Sequence, residues 1–482
     1  MTRGIVGIAG YVPYRRLRRS DVAAFFGSGG GKGGRSVASH DEDTTTMGVE
    51  AARRALRAVP GAAPTALWFA TATPAYLDKT NATTVHAALR LPAEVAAFDF
   101  GGALRSGPGA LRTALDAAGG GTTLVVVSDL RDGLPTSGDE AAGGDGAAAV
   151  LVADDGPGTP VIAEFLGGAS ATDEFLDRWR TPGDRRSRTW EERFGETRYV
   201  PLGSDAWRAG LKAAGVTAEE VDRVAVTGMH GRATKAVGRA LGVRDGVLAD
   251  DLSATVGQTG AAHAGLVLAS LLEQAGPDEV VAVVSLADGA DVLVFRTTAA
   301  IADWSPADPV ADQVATGGDL PYAKFLAWRG MVSPEPPRRP EPQRVSSSAA
   351  WRNEDWKFGF VGSQDRTSGA VHLPPSRVSM QGGAVDDMVP VDRADAEATI
   401  ATYTIDRLAY SPSPPIVFAV LDFDGGGRFP VELTDVDPDT VDIGDRVTMT
   451  FRRLYTADGI HDYFWKARPV RVASPPGDAP AG

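Results

Sequence analysis

The stretch Phe98-Asp-Phe-Gly-Gly-Ala-Leu-Arg-Ser-Gly-Pro-Gly-Ala-Leu111 takes an apolar strand through a glycine turn directly into an alanine-rich helix. Such a turn lifts the first helical side chain to the rim of a sheet, beside free backbone N–H groups and the positive end of the helix dipole, the layout that presents a nucleophile. Here that side chain is Leu104, the chain has no cysteine, and the nearest hydroxyl, Ser106, lies two residues further into the helix. A thioester to the protein is thereby excluded, and the chemistry left to this site is hydrogen bonding and proton transfer. Two other residues have side chains suited to it. His230 follows the apolar run 221–227, where it either faces a cleft at a strand end or is a buried ring bonded to a carbonyl. Asp288, in Ser285-Leu-Ala-Asp-Gly-Ala-Asp291, is either a turn residue, which Asp-Gly favours, or a carboxylate aimed into the same cleft.

These groups need a scaffold that gathers strand ends, and the surrounding sequence reads as one. Strands at 5–12, 66–71, 95–100, 122–128 and 147–153 alternate with helices at 43–56, 81–89 and 106–118. The βαβαβαββ pattern begins again after Pro160, with strand 161–166, an insertion to about 202, helix 204–214, strand 221–227, helix 232–241, strand 246–250, helix 260–274 and the strand pair 280–286 and 291–296. Each strand is a nearly continuous Val/Ala/Leu run, which predicts parallel sheets covered on both faces by helices. The fold class is α/β with an internal duplication, in halves of about 1–158 and 159–300. The glycine-rich Gly27-Ser-Gly-Gly-Gly-Lys-Gly-Gly-Arg-Ser36 lacks the G-K-[ST] ending of a phosphate loop and reads as a surface loop.

With 482 residues, 43% hydrophobic and 23% charged, the chain is long enough for two or three domains. A net charge of −14 argues against nucleic acid or an anionic membrane as a partner, because both need a basic face. The first apolar run is too short for a signal peptide, and none approaches the roughly 20 apolar residues of a membrane span. A cytoplasmic location is expected. The absence of cysteine also removes disulfides and thiolate-bound zinc.

Residues 1–300 resemble the thiolase superfamily, most of all its hydroxymethylglutaryl-CoA synthase branch. The matching segments are Asp43-Thr-Thr-Thr-Met-Gly-Val-Glu-Ala-Ala, Leu67-Trp-Phe-Ala-Thr, the 98–111 elbow, Val127-Ser-Asp-Leu-Arg-Asp-Gly-Leu-Pro, Leu176-Asp-Arg-Trp-Arg-Thr-Pro-Gly, Met229-His-Gly-Arg-Ala-Thr-Lys235 and Val256-Gly-Gln-Thr-Gly-Ala-Ala262. The resemblance implies a duplicated five-layer αβαβα thiolase fold, a homodimer through an edge strand of the first half, no tightly bound cofactor, and coenzyme A as part of an acyl-CoA substrate. In that family a cysteine at the elbow is acylated, a glutamate after the second strand is the acid/base, and a histidine helps hold the thioester oxygen. Leu104 stands at the cysteine position, Ala72 at the glutamate position, His230 at the histidine position and Gln258 where asparagine is expected. The same likeness implies that Gly102, Leu104, Arg180 and Lys235 bind the coenzyme. Tyr76, near Ala72, is either a packed aromatic or a proton donor. His263 reads as packing inside an apolar helix, and His40 and His86 show no partner in the sequence.

Beyond residue 296 the composition changes. Residues 297–321 read as a polar, alanine-rich crossover and 333–342 as a semi-rigid proline-rich linker, which puts the connection at 301–344 and a second domain at 345–482. Short strands at 358–361, 399–406, 416–422, 429–433, 446–452 and 463–469 predict a small all-β barrel. Gly427-Arg-Phe, Thr450-Phe-Arg-Arg-Leu and Tyr463-Phe-Trp-Lys-Ala-Arg-Pro469 give it a resemblance to the acyl-CoA-associated OB-fold family, which usually begins with a zinc ribbon of two CxxCG halves. The four ligand positions hold Asp365, Ser368, Ser379 and Gly382, a set that cannot make a tetrahedral soft-metal site, so no metal is expected. Trp351, Trp356 and the Pro374-Pro375 turn are left to hold the ribbon, and His372 alone makes no zinc case.

An aldol cleavage needs an oxyanion hole for the thioester enolate and a base for the β-hydroxyl, and no cysteine. The chain therefore reads as an aldolase or retro-aldolase on a β-hydroxyacyl-CoA. It resembles the thiolase-like steroid side-chain aldolases, which pair a cysteine-free thiolase subunit with an OB-fold partner, and that likeness adds a partner enzyme to the expectation. Two other readings stay open: an acyl-CoA-binding scaffold without activity, and an acyltransferase or synthase with a non-cysteine mechanism.

Overall fold

The structure, a computed structural model, describes residues 2–117, 119 and 121–471. The expected helix end at 118 and the tail 472–482 lie outside the described residues. The chain forms two compact units. The first comprises the chain to Ala38, Glu50–Thr83 and Pro92–Tyr322; the second comprises Ser39–Val49, Thr84–Leu91 and the described chain from Ala323.

In the first unit the main strands are β1 (Arg3–Tyr11), β2 (Pro64–Thr71), β3 (Ala96–Gly101), β4 (Thr122–Asp129), β5 (Gly146–Asp154), β6 (Ala163–Ala171), β7 (Arg223–Gly228), β8 (Val280–Leu286) and β9 (Ala290–Thr297). Their order across the sheet is β7-β8-β9-β6-β1-β5-β4-β2-β3. Each half has parallel strands at its outer edge, β3, β2 and β4 in the first and β7 and β8 in the second, followed by antiparallel neighbours toward the centre. The halves are hydrogen-bonded to each other where Gly4 and Ile5 pair with Glu164 and Ala163, so the ladder is continuous across the duplication. The strand expected at 246–250 shrinks to a single bridge between Leu248 and Val224.

β8 is Val-Val-Ala-Val-Val-Ser-Leu with every residue buried, which requires helices on both faces. One of them, α1 (His263–Leu272), is apolar all round and wholly buried, packing on β1, β5 and β8. The helix after the elbow, α2 (Ser106–Asp116), buries Ala110, Leu111, Ala114 and Leu115. A third, α3 (Glu192–Ala214), is 23 residues long and contains Pro201. It begins twelve residues before the helix start that the sequence reading places at 204. One lost N–H bond is tolerated here because the same helix buries Tyr199, Ala206, Trp207 and Leu211. No helix among the described residues is long and apolar enough to cross a membrane.

In the second unit a closed barrel is built from β10 (Glu397–Asp406), β11 (Ile416–Phe423), β12 (Arg428–Leu433), β13 (Arg446–Ala457) and β14 (Ile460–Pro469), in the order β10-β11-β12-β14-β13. Two cations on β13 and β14 are buried within this unit. Arg452 reaches Glu42 at 2.8 Å, Asp435 at 2.8 Å and Asp41 at 3.4 Å. Lys466 reaches Asp41 at 3.0 Å and Glu432 at 2.5 Å. Burial by itself would raise the Asp41 carboxyl, but Lys466, His40 and Arg452 hold it far below the usual range.

A three-stranded sheet of Val361–Asp365, Val371–His372 and Met388–Asp392 forms the ribbon. At the ligand positions the Asp365 carboxylate accepts the Ser368 hydroxyl at 2.6 Å and the Thr367 amide at 2.9 Å. His372 Nε2 accepts the Met380 amide at 2.9 Å, so this ring serves the backbone. Trp356 stacks on Phe360 at 5.1 Å, whereas Trp351 is 73% exposed and holds nothing there. Elemental analysis of purified protein is expected to find no stoichiometric zinc; a stoichiometric value would overturn this placement of ligand positions. The hydroxyls of Ser368 and then Ser379 hold Asp365 down to about 2. Its unfolded value is about 3.9, so the folded state binds fewer protons in the window between these values. Its contribution to stability is present above about pH 4 and is lost as pH falls toward about 2. The stability difference between wild type and Asp365→Asn should shrink across that window in acid titration.

Candidate active site

The C-terminal ends of the parallel strands β2, β3, β7 and β8 open on one cavity of about 610 Å³, the position where α/β sheets bind ligands. β2 contributes Ala72, the elbow after β3 contributes Gly102, Ala103 and Leu104, β7 leads to Met229–Gly231, and the β8–β9 turn brings Leu286, Ala287 and Asp288. Gly102 has φ +95°, a conformation glycine adopts without strain, and this lets β3 turn into α2. Among the described residues the amides of Ala103 and Leu104 have no hydrogen-bond acceptor. A short hairpin, Arg178–Trp179 with Arg188–Thr189, supplies the remaining wall with Asp177, Arg180 and Trp190.

His230 lines this cavity at the N-cap of the helix α4 (Gly231–Ala240). Nδ1 accepts the Ala233 amide at 3.1 Å, and Nε2 meets the Glu192 carbonyl at 2.7 Å. That pairing assigns the proton to Nε2. Both ring nitrogens are thereby occupied, so the expectation of a free donor to a thioester oxygen meets a ring bonded to backbone.

The groups facing the cavity with unspent chemistry are Asp177, Tyr199, Asp288 and Arg180. Asp177 is buried, and burial raises its carboxyl above the usual range against the pull of His230, Arg178 and the Tyr199 hydroxyl beside it. Burial, followed by Asp177 and Asp288, pushes the Tyr199 hydroxyl well above its ordinary value. The Asp288 amide points to Tyr199 Oη at 3.4 Å, its carbonyl accepts from Arg105 at 2.9 Å, and its φ is +47°. Arg105 in turn grips Asp291 at 2.7 and 3.1 Å, so the turn carrying Asp288 is fixed on both sides. Burial raises the Asp288 carboxyl too, opposed by Arg105. Gly195 on α3 completes the arrangement, because a Cβ there would collide with both the Asp177 carboxylate and the His230 ring.

The remaining sequence candidates are distributed differently. Gln258 and Lys235 line an adjoining cavity of about 530 Å³ with Arg19 and Lys32, and Gln258 is bonded through its backbone to Ala142 at 2.8 Å and Gly144 at 3.0 Å. The two cavities share Gly138, Ala142, Met229 and Gly231. Tyr76 lines neither; its backbone is tied to Asn81 at 3.0 and 2.9 Å in a turn. His263 is buried with Nδ1 on the Thr259 amide at 3.2 Å, as packing predicts. Sequence reasoning missed Asp177 and Tyr199. Asp177 sits inside the Leu176-Asp-Arg-Trp-Arg segment already singled out, but Tyr199 lay in what reads as an insertion until α3 is seen to begin at Glu192.

The fold is thiolase-like and is followed by a C-terminal OB-fold barrel. Within that class the first part of the chain is hydroxymethylglutaryl-CoA synthase-like. Hydroxymethylglutaryl-CoA synthase of Thermococcus gammatolerans is 28% identical over 296 residues, 60% of this chain and 83% of that protein. MvaS in complex with 3-hydroxy-3-methylglutaryl coenzyme A superposes with a TM-score of 0.59 at 23% identity, covering 72% of this chain and 94% of that one. An HMG-CoA synthase complexed with CoA gives 0.58 at 18% identity, covering 72% and 92%. Residues 391–452 match the family of ChsH2 C-terminal OB-fold domains.

Proposed function

We propose that the protein is an aldolase or retro-aldolase that makes or breaks the Cα–Cβ bond of a β-hydroxyacyl-CoA without a covalent intermediate. The observation that carries this reading is the composition of the elbow cavity: Leu104 where a nucleophile would stand, and carboxylates, a tyrosine and an arginine around it. In cleavage Asp177 takes the β-hydroxyl proton with Tyr199 beside it, the hydroxyl oxygen becomes a carbonyl, and the electrons of the Cα–Cβ bond pass to the thioester enolate. The amides of Ala103 and Leu104 face the developing charge. His230 positions the Glu192 carbonyl and backs Asp177. Coenzyme A enters as part of the substrate, a reading supported by the coenzyme A ligands of the two structural neighbours. Lys235, which lines the adjoining cavity, is assigned in this reading to its phosphates.

The test is product analysis by mass spectrometry after incubation with a panel of β-hydroxyacyl-CoA thioesters. A shortened acyl-CoA together with an aldehyde or ketone is expected. Tight binding of the whole panel with no product would instead favour the scaffold reading, to which the occupied ring nitrogens of His230 lend support. The same reading carries a cytoplasmic homodimer: β3 is a sheet edge with Phe98 56% exposed, and an edge of that kind pairs with its own copy about a two-fold axis. Sedimentation at micromolar concentration should give twice the chain mass, and a monomer alone would count against it.

A further inference from the structure

We propose that Arg180 is a catalytic residue that holds the enolate oxygen of the acyl thioester, so that the position from which the resembled synthases work with an anion is here worked by a cation. The proposal rests on the aldolase reading and adds a charged donor to the elbow amides.

Four observations converge on it. Arg180 is half-buried in the cavity wall that also contains the elbow, and its Nη2 donates to the carbonyl of Ala72, the residue at the family's glutamate position. Neighbouring arginines are neutralised: Arg178 by Asp139, Arg131 by Asp129 at 3.4 Å, and Arg105 by Asp291 at 2.7 Å. Arg180, among the described residues, has no ion-pair partner, and its one hydrogen bond goes to a neutral carbonyl. A half-buried guanidinium in that state stays charged, and it gains from any anion that can reach it. The ring expected to serve the thioester oxygen, His230, has both nitrogens bonded to backbone. Finally, Asp177, Tyr199 and Asp288 adjoin one another, whereas Arg180 bonds at Ala72, at the end of the strand that pairs with the elbow strand. A β-hydroxyacyl thioester fits that division with its hydroxyl toward the carboxylates and its thioester oxygen toward Arg180.

The step balances with groups of this chain alone. The hydroxyl proton moves to Asp177, the O–H pair becomes the new carbonyl π bond, and the Cα–Cβ pair becomes the enolate whose oxygen Arg180 holds. The same carboxyl group then returns its proton to Cα, releasing the shortened acyl-CoA and regenerating Asp177.

The test uses two nonreactive probes of one shape: S-carboxymethyl-CoA, whose carboxylate stands for the enolate, and neutral S-carbamoylmethyl-CoA. Calorimetry on the full chain should show the anionic probe bound roughly 10–100-fold more tightly, the range of a charge-assisted hydrogen bond. Arg180→Met should erase that preference and leave affinity for the neutral probe within about threefold, while Arg180→Lys keeps part of it. Retention of neutral-probe affinity confirms that the variants are folded. No anion preference in wild type, or an undiminished preference in Arg180→Met, overturns the proposal. Turnover of the β-hydroxyacyl-CoA panel is scored separately. An anion preference that depends on Arg180, with no cleavage of any substrate, would sink the aldolase reading and leave Arg180 as an anion site. Cleavage by wild type with no such preference would sink the Arg180 assignment alone.

Discussion

Asp177→Asn should lower turnover of a responsive β-hydroxyacyl-CoA by about 10²–10⁴-fold, the contribution of a well-placed general base, with little change in KM. Asparagine keeps the shape and the neighbours but cannot accept the proton. The base acts deprotonated, and burial raises the Asp177 carboxyl. Wild-type kcat/KM should therefore rise with pH through an apparent pKa above the ordinary carboxylate value of about 3.9, and that limb should be missing from the residual activity of Asp177→Asn. Tyr199→Phe removes the hydroxyl beside Asp177 and the acceptor of the Asp288 amide, so a smaller loss with a shifted limb is expected. Pre-steady-state and steady-state rates of the two variants across pH decide the matter. Unchanged turnover in Asp177→Asn would remove it from the chemistry.

Arg452→Met should destabilise the second unit by about 3–5 kcal/mol, the range seen when one partner of a buried ion pair is deleted. The guanidinium is fully buried among Asp41, Glu42 and Asp435, and methionine would fill the space while removing the cation that reaches all three carboxylates. Urea unfolding of the full chain, followed by far-UV circular dichroism and intrinsic fluorescence, measures the change. A loss below about 1 kcal/mol would show that the cluster is solvated in a way its burial does not suggest.

The strands of the duplicated half-sheets and of the barrel could be read from periodicity, because an all-apolar run such as 280–286 has few alternatives to a sheet buried on both faces. The elbow was equally legible, since Gly101, Gly102 and the helix after them are local. What escaped was set by distance along the chain. Tyr199 reaches Asp177 and the Asp288 amide only because α3 continues through Pro201, and no local rule distinguishes a tolerated proline from a breaker. Gln258 and Tyr76 lie outside the elbow cavity for a related reason: the sequence gives an order of residues, whereas the cavity that each residue lines depends on how loops from separate strands return. His230 was placed well at its strand end, but the carbonyl that occupies its Nε2 comes from Glu192, 38 residues earlier.

The ribbon whose ligand positions hold Asp365 and Ser368 is closed by atoms that arrive with the polypeptide. A chain without a single cysteine offers an oxidant no thiol at that position. Closure by hydroxyl and carboxylate predicts a ribbon that forms without a delivered metal and that a chelator leaves intact. The domain's vulnerability is moved instead to acid, the one condition that converts its central acceptor into a donor.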